Sequence, residues 1–275
     1  MTERITHTGR CLAIDTSTSA MTVAILENGK LLGEISSHAE RNHSLGLLPH
    51  IQDLLDRLGM KPSDLQSVAA GQGPGSYTGV RIAVSVAKTF AWSLGLDLIG
   101  VSSLEAMAIG GTVQDYVEEK AAALTWVVPL MDGRRKQAFT AVYAFEGNAA
   151  ITEEGEPDAS WREVMPDGIR VIGPWMEQIL TLSRTLDVVE TPQHILFVGE
   201  TAGFAEELEQ FSDDFAGDVS VLPYGIEAQY IGQLAYPRLA RGEKADVHTF
   251  VPNYTRLPEA EANLLAGLQT KKGEQ

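Results

Sequence analysis

The sequence predicts an α/β protein in which helices flank mixed β-sheets. Three observations carry that prediction: short apolar strands joined by an Asn28-Gly29 turn, a glycine-rich loop feeding an apolar helix, and a second half that repeats the strand–helix alternation. The chain has 275 residues, 44% of them hydrophobic and 21% charged, the proportions of a globular protein long enough for two domains.

Leu12-Ala-Ile-Asp15 reads as a short buried strand, Thr16-Ser-Thr-Ser19 as a polar turn, and Met21–Leu26 as a second strand. Asn28-Gly29 then closes a hairpin onto Lys30–Ser36. A helix is expected from about Ser44 to Leu58, with Leu47, Leu48, Ile51, Leu54, Leu55 and Leu58 at helical spacing and Gly59 ending it. Pro49 falls inside that pattern and must lie in the first turn or bend the helix. Val68-Ala-Ala-Gly71 is a third core strand, Ile99-Gly-Val-Ser102 a fourth, and Ser103–Ile109 a short helix. In the second half, Trp126–Met131 and Ala138–Phe145 form a hairpin, Trp175–Thr185 a helix, Ile195–Gly199 a buried strand and Tyr230–Arg241 a helix. Residues 146–168, rich in Glu, Asp, Gly and Pro, read as a solvated insertion. The resulting division is 11–105, 106–256 and a polar tail, 257–275, ending in disorder.

Gly71-Gln-Gly-Pro-Gly-Ser-Tyr-Thr-Gly79 is the most informative stretch. Its glycines and proline exclude regular structure, so a tight loop must open the helix that follows. That helix carries one apolar stripe of Val80, Ala83, Val84, Ala87 and Ala91, and another of Ile82, Val86 and Phe90. Two apolar stripes need two things to bury them, here the chain's own sheet and a second protein. The expected partner surface joins helices 44–58 and 80–93 side by side, turning Leu45, Leu48, Val80, Val84 and Ala87 outward. Ala83 and Ala87 would permit close approach, and Arg81 and Lys88 would form the polar rim. Such a surface would complete a four-helix bundle with a partner, or pair with itself in a homodimer when the chain is alone.

Charge narrows the partners. The formal net charge is −16; residues 1–105 hold 10 acids and 8 bases, leaving 27 acids and 13 bases in residues 106–275. An acidic surface without a basic stripe argues against strong direct nucleic-acid binding. No apolar run reaches the roughly 20 residues of a membrane span, and the N-terminal residues lack the pattern of a secretory signal. A single cysteine, Cys11, excludes an internal disulfide and fits the cytoplasm; at the start of a buried strand it is expected to be an inert core thiol.

A strand ending in Asp15 with hydroxyl residues in the next turn resembles the phosphate hairpin of the actin, sugar-kinase and Hsp70 superfamily (the ASKHA proteins, with ribonuclease H-like halves). That hairpin has the form Asp-x-Gly-Thr; Asp15-Thr-Ser-Thr18 lacks its glycine. Asp15, Thr16, Ser17, Gly73, Gly75 and Ser76 are therefore candidates for a remnant nucleotide or phosphate loop. The second-half hairpin has Asp132-Gly133 followed by Arg134-Arg-Lys136, and Gly199-Glu-Thr-Ala-Gly203 is a thin match to an adenosine pocket.

Five motifs together point to one family: Leu12-Ala-Ile-Asp-Thr-Ser-Thr18, Arg41-Asn-His-Ser44 ahead of Leu48-Pro-His-Ile51, Gly73-Pro-Gly-Ser-Tyr-Thr-Gly-Val-Arg-Ile82, Met131-Asp-Gly-Arg-Arg135 and Pro252-Asn-Tyr-Thr-Arg256. The chain resembles the TsaB (YeaZ) family, with Tyr77 where a Phe is usual and Asp132-Gly133-Arg134 where Asp-Ala-Arg is usual. The resemblance implies a two-domain actin-like fold and a non-catalytic role in forming threonylcarbamoyladenosine in tRNA. It implies binding to a TsaD-like transferase subunit, with the ATPase TsaE joining. It implies no cofactor for the chain alone and leaves open ATP or ADP at the partner interface.

Two enzyme readings compete. A kinase-like ATP-dependent enzyme would use the same fold, with Asp15 at the phosphates. A metal-dependent relative needs two imidazoles on one helical face, yet His7, His38, His43, His50, His194 and His248 include no His-x-x-x-His pair, so no metal site is expected. No Gly-x-Ser-x-Gly elbow occurs, and Ser76 has no evident base, so no catalytic residue is expected. The plainer reading of Asp15 is a turn cap, of His43-Ser44 a helix cap, and of helix 80–93 simple core.

Overall fold

The computed structural model describes residues 9–38, 43–114, 124–146, 150–152, 157–185 and 191–255. The polar tail 257–275 and His7 lie outside them.

The first half runs β1 (Arg10–Asp15), β2 (Ala20–Glu27), β3 (Lys30–His38), α1 (His43–Arg57), β4 (Ser67–Gly71), α2 (Tyr77–Leu94), β5 (Asp97–Val101) and α3 (Ser103–Gln114). The second runs β6 (Leu124–Asp132), β7 (Gln137–Glu146), β8 (Arg162–Val171), α4 (Ile172–Thr185), β9 (His194–Gly199), α5 (Ala205–Asp214), β10 (Asp218–Pro223) and α6 (Ala228–Ala240). The first sheet has the order β3-β2-β1-β4-β5 and the second, read the same way, β8-β7-β6-β9-β10. In each, two antiparallel pairings are followed by two parallel ones. The halves are thus the same topology twice, the duplication suggested by the coarse element order.

Strand alternation builds the layers. In β1 and β4, Leu12, Ile14, Val68 and Ala70 face α1 and α2, whereas Cys11, Ala13 and Ala69 face the middle of the molecule. In the second sheet, Trp126, Val128 and Phe197 face α4 and α5, and Val127, Leu196 and Val198 face inward. The central layer is α3 and α6, packed on each other and between the sheets. Five layers result, helix–sheet–helix–sheet–helix. A helix packed between two sheets has little polar face to keep, and from Ala106 to Gly111 α3 is an unbroken buried run of apolar residues and glycines, including Gly110 and Gly111. A side chain on Gly111 would overlap Val198, and one on Gly232 of α6 would overlap Leu26.

Three differences from the sequence reading have physical causes. The stretch 146–168, read as an insertion, includes the start of β8, an edge strand whose Pro166, Asp167 and Gly168 mask its pattern. The elements α5 and β10 escaped notice because α5 buries only Leu208 and Phe211, and β10 is a half-exposed edge. Finally, α6 and the strap 245–255, grouped by sequence order with the second half, lie against the first sheet. Arg238 Nη1 donates to Gly100 O at 2.9 Å, and Ala245 N donates to Leu98 O at 2.7 Å.

Candidate functional site at the junction of the halves

β1 delivers Asp15 to the sheet's C-terminal edge, fully buried. Its Oδ1 accepts from the backbone N–H and the hydroxyl of Ser17, both at 2.7 Å, and its Oδ2 accepts from the Ser103 hydroxyl at 2.6 Å. Ser103 Oγ in turn accepts from Gly73 N at 3.1 Å, and Ser103 N donates to Gly73 O at 3.0 Å. The loop is sewn to the β1–β2 turn twice more, by Thr16 Oγ1 to Gly79 O at 2.7 Å and by Ser76 N to Ser17 O at 2.7 Å. Ser76 also caps α2, accepting from Gly79 N at 3.3 Å.

The glycines follow from this closeness. A side chain on Gly79 would overlap Thr16 O, one on Gly75 (φ +157°) would meet Ser17 O, and one on Gly71 would overlap the Asp15 carboxylate. Asp15, Thr16, Ser17, Gly73, Gly75 and Ser76 therefore do come together, as a closed knot. Main chain of the glycine loop sits against the turn where the superfamily would seat a phosphate, and the Asp15 carboxylate is engaged by this chain's own donors.

One residue earlier in the chain, a second carboxylate network begins. Ser102 Oγ donates to Asp167 Oδ2 at 2.8 Å, Tyr143 Oη to Asp167 Oδ1 at 3.0 Å, and Asn253 Nδ2 to Asp167 Oδ2 at 3.2 Å. Burial pushes the Asp167 carboxyl above its ordinary range, against those three donors. Glu105 stands beside it, bonded to Trp161 Nε1 at 3.1 Å; burial raises it too, against Trp161 and the charge of Arg238. Trp161 stacks on Tyr143 with centroids 5.3 Å apart. Sequence reasoning missed Ser102, Glu105, Tyr143 and Asp167. Only Asn253, inside Pro252-Asn-Tyr-Thr-Arg256, carried a signal. The arrangement ties the strap to both halves, through Ser102 of the first, Tyr143 and Asp167 of the second, and Asn253 of the strap itself.

The expected partner surface needs correction. Val80, Ala83, Val84 and Ala87 do not point outward; Val84 is 3% exposed and the two alanines are wholly buried in the core between α2 and the first sheet. Periodicity shows two apolar stripes without saying which faces the sheet, and the stripe with the small alanines is the one that allows close helix–sheet packing. Arg81 and Lys88 do not stand free at a rim. Arg81 Nε donates to Tyr254 Oη at 2.8 Å with its guanidinium 3.9 Å from the Tyr77 ring centre, and Lys88 Nζ donates to Phe250 O at 2.8 Å. Leu48 is exposed, at 55%; Leu45 lies in the first turn of α1, its side chain outside the described residues. The apolar side chains that α1 and α2 turn toward solvent among the described residues include Leu48, Tyr77, Trp92 (70% exposed) and Leu94, with Ile82, Val86 and Phe90 half-buried.

At the start of the second half, Asp132 N donates to Glu200 Oε2 and Asp132 Oδ1 accepts from Arg134 N, both at 2.7 Å. Among the described residues, no three His, Cys, Asp or Glu side chains are grouped to hold a metal, and no helix is long and apolar enough to cross a membrane.

A duplicated α/β fold with an aspartate turn closed against a glycine loop in its first half defines a protein of the actin-like class. A family model described as TsaD, tRNA N6-adenosine threonylcarbamoyltransferase, matches residues 30–264. The tRNA threonylcarbamoyladenosine biosynthesis protein TsaB of Bacillus subtilis is 33% identical over 254 residues, covering 91% of this chain and 96% of the relative. TsaB of Escherichia coli is 36% identical over 142 residues, 50% of this chain and 57% of that protein. The structure of YeaZ from Pseudomonas aeruginosa superposes with a TM-score of 0.67 at 25% identity, covering 90% of this chain and 99% of that one. The chain belongs to the TsaB (YeaZ) family.

Proposed function

We propose that this protein is the non-catalytic partner subunit in formation of N6-threonylcarbamoyladenosine in tRNA, binding and activating a TsaD-like transferase, with a TsaE-like ATPase joining the assembly. The observation that carries the reading is the closed knot at Asp15. In a kinase-like relative that carboxylate would face nucleotide; here its oxygens accept from Ser17 and Ser103 while Thr16 and Ser76 hold the glycine loop against the turn. The pathway follows from the relatives named for tRNA threonylcarbamoyladenosine biosynthesis.

On this reading the chain alone holds no nucleotide, and any ATP or ADP the assembly requires sits at the interface with the partner. The partner meets the outer side of α1 and α2 at Leu48, Ile82, Val86 and Trp92, and the same side self-pairs in a homodimer when the chain is alone. The assembly acts in the cytoplasm. Reconstitution tests this: purified transferase and ATPase subunits, tRNA and an activated threonylcarbamoyl donor, with and without this chain. Product formation that requires the chain, together with no ATP turnover by the chain alone, supports the reading. Robust ATPase activity of the lone protein, lost in Asp15→Ala, would place it among the kinase-like enzymes instead.

A further inference from the structure

The β6–β7 hairpin contains an unusual piece of backbone. Arg134, Arg135 and Lys136 all have positive φ, at 63°, 55° and 55°, so three successive non-glycine residues are left-handed. Each such residue is unfavourable for an L-amino acid, and a run of three persists only where neighbours over-determine it. They do. Gly133 N donates to Gln137 O at 2.8 Å and Gln137 N to Arg134 O at 3.0 Å, closing the turn from within. Ile172 N donates to Lys136 O at 2.9 Å from the start of α4. The Lys136 ammonium pairs with Glu207 of α5 at 2.9 Å. Glycine would adopt this path without strain, yet basic residues occupy it.

Of the acids near the turn, Glu207 pairs with Lys136, whereas Asp132 and Glu200 accept from backbone N–H groups and keep their charge without contacting either guanidinium. The side chains of Arg134 and Arg135 are exposed, and neither makes a hydrogen bond or ion pair among the described residues. In a half of the chain with 27 acids and 13 bases, two unpaired guanidiniums on a rigid turn are poised for an outside anion.

We propose that Arg134 and Arg135 contact phosphodiesters of the tRNA substrate when the assembly forms. The inference rests on the function proposed above, which supplies an RNA to be held. It is compatible with the acidic composition, because two local contacts add to binding led by the partner without making this chain an RNA-binding protein alone.

The test uses the reconstituted assembly with Arg134→Gln, Arg135→Gln, the double variant and Arg135→Gly. The double variant should raise the KM for tRNA by roughly tenfold and reduce the slope of its logarithm against log salt by about one to two, with partner binding and melting temperature unchanged. Arg135→Gly should also raise the KM, yet melt at the same or a higher temperature, since glycine relieves the left-handed strain. A purely structural role for the arginines predicts the reverse for that variant, a lower melting temperature with tRNA kinetics intact, and overturns the inference. So does an unchanged KM and salt slope in the double variant, or a loss confined to binding of the partner protein. If product forms equally well without this chain, the functional reading itself fails, and the inference with it.

Discussion

Ser103 and Asp15 meet in a buried 2.6 Å hydrogen bond that spans 88 positions of sequence. Ser102, its neighbour, donates to Asp167 from the second sheet at 2.8 Å. One dipeptide at the start of α3 thus ties an aspartate of each half, and the two networks stand back to back where the halves join. The glycine loop hangs on the first through Gly73 and the strap on the second through Asn253.

Removing the carboxylate should damage folding rather than catalysis. In Asp15→Ala, the hydroxyls of Ser17 and Ser103 and the N–H of Ser17 lose a shared buried acceptor. A loss of about 2–4 kcal/mol in urea unfolding is expected. Ser103→Ala removes one donor and should cost less, about 1–2 kcal/mol. An Asp15→Ala protein as stable as the parent would show that the knot contributes nothing to the fold.

The corrected orientation of α2 separates two substitutions that the sequence placed on one surface. Val84→Glu sets an unpaired carboxylate between α2 and the first sheet and should unfold the protein or cost more than about 3 kcal/mol. Leu48→Asp lies on an exposed position of α1 and should leave the circular dichroism melt nearly unchanged while weakening association with the partner in size-exclusion chromatography. A well-folded Val84→Glu variant would contradict the packing described here.

These two substitutions also mark where the sequence stopped being legible. The first half could be read because its signals are local: short continuous apolar runs in β1 and β2, the positive-φ pair Asn28 and Gly29 at the hairpin, and Gly59 after α1 in the left-handed conformation. The direction of α2's two stripes is not local, because only the sheet beneath decides which is buried. Asp167 was illegible for a related reason. Its partners, Ser102, Tyr143 and Asn253, are 65, 24 and 86 residues away, and no spacing rule joins them. The Asp15 knot was half visible: the residues were named, while their use on one another rather than on phosphate came from tertiary contact alone.

The glycines of the loop offer a sharper comparison. Gly79 lies in the first turn of α2, where a methyl group would overlap the carbonyl of Thr16. Gly79→Ala should therefore cost about 1–3 kcal/mol as the loop shifts off the β1–β2 turn. Gly173, in the first turn of α4, has open space around the same position, and Gly173→Ala should be neutral or stabilise by up to about 1 kcal/mol. Thermal melts of the two variants measure the difference directly, and equal melting temperatures would mean that the loop is not held as tightly as its hydrogen bonds indicate.

The Asp167 network should leave a signature in the pH dependence of stability. Burial raises the Asp167 carboxyl above 3.8, its ordinary value, with Ser102, Tyr143 and Asn253 opposing; Glu105 and Glu163, raised chiefly by their own burial, are the neighbouring acids, and Arg238 is the cation acting on Glu105. A carboxyl whose folded value lies above its unfolded one binds its proton more tightly when folded. Between the two values the folded state carries more protons, so stability falls as pH rises, and above the folded value a constant penalty persists. Asp167→Asn removes this titration while keeping an oxygen to accept from Tyr143; the donor it places opposite Asn253 adds a cost that does not vary with pH. The stability of the parent relative to Asp167→Asn should therefore decline as pH rises from about 4 and level off once the folded carboxyl has lost its proton. Urea unfolding of both proteins at several pH values across that range measures the difference. A difference independent of pH, or one that grows in the parent's favour as pH rises, would show that the three donors outweigh burial at Asp167.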